Sequence, residues 1–158
     1  MPKQLVFGTI KSLHDLFTAV WIGGLLTTAI TFFPTIKQVR DKSPVIKKIS
    51  IIYHHRLRVI AVISMIVLWV TGVLLRRQSP AYAGFLDFSS TYTILLSVKH
   101  LVIFVMIIIA LYRGLILGRK IEHFTANQQK LYAVLLMVNT LLGVGVIFLS
   151  GIGVVFGG

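Results

Sequence analysis

Apolar residues run along this chain in four long stretches, and polar residues collect in the three gaps between them. The first stretch runs from about Leu5 to Phe33 and reaches Pro34, the second ends at Leu75 before Arg76-Arg77, the third spans Thr91 to Leu117, and the fourth runs from Leu131 to Phe156. Each exceeds the roughly 20 residues that an α-helix needs to cross about 30 Å of hydrocarbon. No stretch alternates with period two, so a transmembrane barrel is excluded and helices are expected. The expected fold is all-α: one integral-membrane domain over residues 1–158, a four-helix up-down-up-down bundle with spans near 5–34, 44–76, 91–117 and 128–156.

Punctuation within the gaps supports these limits. Pro34 should close the first helix. Ser43-Pro44 pairs an N-cap residue with a proline at the first helical position, so the second helix should begin in water and enter the membrane after Arg58. Pro80 and Gly84 mark the segment from Gln78 to Ser90 as a loop, in which Phe85, Leu86 and Phe88 should dip back to the interface. Ser89 or Ser90 should cap the third span.

Composition then fixes the class. Hydrophobic residues make up 56% of the chain, mean hydropathy is +0.91, and only 13% of residues are charged. A soluble domain has far more charge and less apolar content. The formal net charge of +12 does not point to nucleic acid, because the basic residues lie almost wholly between the apolar stretches. Lys and Arg number eleven in the first and third connections and four on the opposite side. That asymmetry puts both termini outside a prokaryotic cytoplasmic membrane, with the lipid bilayer as the first partner. No cleavage site follows the first stretch, so that span should be retained. Cysteine is absent, which removes disulfides and thiolate metal sites.

Charge inside the spans is the candidate chemistry. His14 and Asp15 stand side by side in the first, and Lys99 and His100 in the third. Ionisable groups at membrane depth are costly and mark function by default. Both histidines fall roughly 10–12 Å along their helices from the outer side. In an up-down bundle the two helices are diagonal partners, so the imidazoles face one central space. One ring above and one below is the arrangement for bis-histidine ligation of a haem b iron. Thr18 and Trp21 share the His14 stripe, while Gly72 and Gly143 would let a flat macrocycle approach the backbone. Lys99 would reach haem propionates or pair with Asp15.

Other readings stay open at this point. Asp15 and Lys99 form a plain structural bridge in one. In another the histidines hold copper, although Met65, Met106 and Met137 form no close-spaced motif and copper(I) prefers sulfur. His54, His55 and His123 lie among Arg56, Arg58 and Arg119, where an interfacial role toward lipid phosphate competes with a second haem or a quinone site. Gly153-x-x-x-Gly157 fits a helix face for a homodimer.

The order His14-Asp15, then Trp21-Ile22-Gly23-Gly24, resembles the His-x6-Trp-x-Gly-Gly opening of CopD-like membrane proteins. Arg56-Leu57-Arg58, Thr71-Gly72 and Val98-Lys99 also resemble that group. The same elements are similar, more loosely, to the HemJ-type protoporphyrinogen oxidases, small four-helix membrane proteins that bind haem b. The resemblance implies that His14 is the family's first-span histidine and Lys99 its third-span lysine, and it makes haem b an expected cofactor. HemJ-type proteins carry an arginine late in the first span, where this chain has Thr27, Thr28 and Thr31. The expectation is therefore a cytochrome b-type protein that moves single electrons between a quinol, or an extracytoplasmic redox protein, and an acceptor. Copper transport or resistance and porphyrinogen oxidation are its alternatives.

Overall fold

The computed structural model describes residues 3–39, 43–77, 88–118 and 125–157, and within them only helix and short capping turns. Helix α1 (Lys3–Thr27) passes through a π-turn (Thr28–Phe32) into α2 (Phe33–Val39). Helix α3 (Pro44–Arg77) returns, α4 (Thr91–Leu111) runs into a second π-turn (Tyr112–Leu117), and α5 (Ala126–Gly157) completes the bundle. Four helices are long and apolar enough to cross a membrane: Lys3–Ile36, Pro44–Arg76, Thr91–Leu117 and Ala126–Phe156.

Local chemistry explains most of the ends. The Ser43 hydroxyl accepts from Val45 N–H at 3.3 Å, as expected for a cap ahead of Pro44. Ser90 and Thr93 form a reciprocal capping box, with Thr93 N–H donating to Ser90 Oγ and Ser90 N–H to Thr93 Oγ1. Thr125 and Gln128 do the same ahead of α5. Phe88 is exposed, whereas Pro80, Gly84, Phe85 and Leu86 lie outside the described residues.

The first helix does not close at Pro34. It continues to Val39 because the chain widens by one residue just before the proline, where Phe33 N–H donates to Thr28 C=O five residues back. A proline inside a regular helix removes one hydrogen bond and clashes with the carbonyl four residues earlier. Here that carbonyl belongs to Ile30, inside the π-turn, where the wider turn moves it aside.

Packing follows the order α3–α1–α5–α4 around the bundle. Helices α1 and α4 are diagonal, as the sequence implies, and α3 barely touches α4. The core is Trp21, Leu25 and Ala29 from the first span, Met106 from α4, and Leu136 and Val146 from α5. Elsewhere the surface is strongly apolar, with Trp69, Ile66, Phe104, Leu141 and Phe148 turned outward, as a protein solvated by lipid requires.

Candidate functional site

The bundle carries a polar cluster at each end. At the end where α1 begins, His14 Nδ1 lies 2.8 Å from Thr71 Oγ1 on α3. The Thr71 hydroxyl has one proton and gives it to Val67 C=O at 2.7 Å. Thr71 must therefore accept from His14, which puts the His14 proton on Nδ1 and the lone pair on Nε2. His100 Nδ1 lies 2.6 Å from Leu96 C=O, and a carbonyl only accepts, so His100 has the same tautomer. Both imidazoles are thus held through Nδ1 by oxygen and carry their basic nitrogen at Nε2, the state in which histidine binds a metal.

Charges from both helices meet here. The fields of Lys99, Asp15 and His100 all reach His14, and those of Arg76 and Lys99 reach His100. Asp15 lies within electrostatic reach of Lys99, but the two make no direct ion pair. Asp15 is exposed while Lys99 and His100 are half-buried.

The companions expected around a macrocycle divide between the neighbourhood of His14 and the core. Thr18 donates its hydroxyl to His14 C=O at 2.9 Å, back along its own helix. Gly72 does lie beside the ring, since a Cβ there would sit 3.7 Å from His14 Cε1. Gly143 instead packs in the core, where a Cβ would meet Ile22 and Met106 at 3.3 Å. Trp21 is also a core residue and turns toward the far end of the bundle.

At that far end is a cluster whose centre the sequence reading missed. Arg113, counted above as part of a connection, lies inside the second π-turn and is 7% exposed. Its guanidinium carbon sits 5.1 Å from the centre of the Tyr132 ring. The Tyr132 hydroxyl is 3.1 Å from His54 Nδ1, and His54 meets Phe32, Tyr53 and Tyr132 edge to face. Tyr53 stacks on Phe32 and shares a 3.0 Å hydrogen bond with Thr28. Arg58 donates to Gly114 C=O at 3.1 Å, bridging the loose seam between α3 and α4. Behind that bridge is a cavity of about 290 Å³ with Arg58, Arg113, His54 and Tyr132 at its polar side. His54 is therefore half-buried in an aromatic cage, whereas His55 is exposed. His123 lies outside the described residues. A cation four residues before the end of an apolar run was the available signal for Arg113.

Between the clusters, Trp21 Nε1, Ser64 Oγ and both amide atoms of Asn139 are buried without hydrogen-bond partners. Asn139 and Ser64 are fully enclosed.

Fold and polar clusters define a four-helix integral-membrane protein with ionisable groups held inside the bundle. A family model described as Copper resistance protein D matches residues 53–152, and the chain belongs to this CopD family. Tyr53, His54, Lys99, His100, Arg113 and Tyr132 fall within the matched stretch, while His14, Asp15 and Phe32 precede it. No curated protein and no solved structure gives a significant match.

Proposed function

We propose that this CopD-family protein captures copper at one membrane face, with His14 and His100 as the two ligands. The supporting observation is the shared tautomer: each ring is oriented through Nδ1, which directs the metal to Nε2. Imidazole is a suitable copper ligand, copper(II) above all. Among the described residues no group of three or more His, Cys, Asp or Glu could hold a metal ion together, so copper here would rest on the two imidazoles alone. Such a site holds its cargo loosely enough to hand it on. The excess of Lys and Arg in the first and third connections supports an orientation with the His14 end outside the cytoplasm.

Copper is captured and delivered on that face alone. Arg58 and Arg113 place positive charge at the other end of the bundle, which opposes a cation leaving there. Haem b fits less well. The two axial donors suit a haem iron, but Gly143 and Thr18 are committed to packing and to the helix backbone. The 290 Å³ cavity touches neither histidine.

Elemental analysis and a visible spectrum of detergent-purified protein from copper-supplemented cells test this. One copper per chain and no Soret band is the expected result, with the copper lost in both His14→Ala and His100→Ala. A Soret band with sharp reduced α and β bands would replace copper by bis-histidine haem.

A further inference from the structure

The cavity at the basic end belongs to neither reading of the histidine pair, and its chemistry is of a different kind. Its polar side carries two guanidinium groups, and the only carboxylate among the described residues, Asp15, is at the opposite end of the bundle. Arg113 Nη1 is buried with no hydrogen-bond partner. Stacking on Tyr132 compensates the charge in part but leaves that N–H unsatisfied. A buried cation compensated only in part, with one N–H left over, is stabilised best by an oxyanion, which guanidinium binds through parallel N–H bonds.

The remaining wall selects what carries that oxyanion. Leu57, Ala61, Met65 and Ala110 make it apolar. Ile60, Leu111 and Leu115 line the cavity and are also exposed on the outside of the bundle, so the cavity opens toward acyl chains along the α3–α4 seam. Arg113 lies about 6 Å along the helix from Leu117, the last residue of its span, which is the depth where headgroups meet acyl chains. A ligand here enters from the bilayer with its anionic group inward and its hydrocarbon out through the seam.

We infer that this cavity is a specific site for an anionic phospholipid, its phosphate held by Arg113 and Arg58 and its acyl chain lying between α3 and α4. The second π-turn builds the site. Gly114 within it lets the Arg58 side chain cross the backbone, where a Cβ would sit 3.4 Å from Arg58 Cγ and Cδ. Single π-turns inside α-helices recur at functional sites for this reason.

Native mass spectrometry of delipidated protein in detergent tests the inference, with phosphatidylglycerol, phosphatidylcholine, oleate and inorganic phosphate as probes. One phosphatidylglycerol per chain should be retained about ten-fold or more over phosphatidylcholine, and Arg113→Gln should lower that retention by a similar factor. Arg58→Gln keeps the test valid if the buried substitution misfolds, and it too should weaken retention. The exposed pair Lys47→Gln/Lys48→Gln should leave retention unchanged, which separates a built site from general surface attraction. Equal retention of the two phospholipids, or displacement of phosphatidylglycerol by inorganic phosphate or by oleate, would overturn it. None of these variants touches His14 or His100, so copper capture and lipid binding fail independently.

Discussion

Thr71 controls His14 although it would touch no metal. Its hydroxyl passes its own proton to Val67 and so obliges the imidazole to donate from Nδ1. Replacing such a partner of a metal-binding histidine lowers affinity by about 10–100-fold. Thr71→Val should do so for copper while leaving the helix intact, and a competition titration with a copper chelator reads the change. Asn139 makes the converse case. Its amide is fully enclosed and unpartnered, and a buried polar group without a hydrogen bond costs about 1–3 kcal/mol. Asn139→Leu should therefore raise the thermal midpoint of the detergent-solubilised protein. A fall would mean that the amide is satisfied in the membrane by something it binds. The candidate pairs His14-Asp15 and Lys99-His100 were legible in the sequence because they interrupt runs that are otherwise apolar. Arg113 was not, because a cation near the end of a span reads the same whether it turns out to headgroups or in against Tyr132. Only the π-turn and the position of α5 decide that.

Proline, serine and glycine set the elements, and each leaves a different trace. Ser43-Pro44 and the serines before Thr91 predict helix starts because capping depends on neighbours three residues apart, and both starts hold. Pro34 misleads because its effect depends on whether the preceding turn can widen. With the π-turn already placing Phe33 N–H on Thr28 C=O, the helix runs on to Val39. Removing the Ser90 hydroxyl breaks the capping box that begins α4, at a cost of about 1 kcal/mol. Ser90→Ala should lower the thermal midpoint modestly and leave copper stoichiometry unchanged. A larger loss, or loss of copper, would mean that the segment before α4 does more than start a helix. The glycines also divide. Gly72→Ala should be tolerated, since its new methyl would make ordinary contact with His14, whereas Gly143→Ala must push aside Ile22 and Met106.

At the scale of the whole molecule, hydropathy alone gives four crossings, and with short connections it gives the diagonal pairing of α1 with α4. The open α3–α4 seam could not be read in advance, because it depends on which apolar faces meet and all four helices are apolar on nearly every side. The orientation proposed from charge asymmetry is simple to measure because cysteine is absent. A single Lys47→Cys should react with a membrane-impermeant maleimide only after the cells are opened. Labelling of intact cells would invert the topology and put the histidine pair on the inner face.

Central to this account is one copper ion shared by two imidazoles from diagonal helices. X-ray absorption of the copper-loaded protein examines that directly. The predicted spectrum shows imidazole nitrogen from two histidines with no sulfur, and His14→Ala and His100→Ala each retain no bound copper to give it. A sulfur scatterer, or a spectrum unchanged by either substitution, would contradict it.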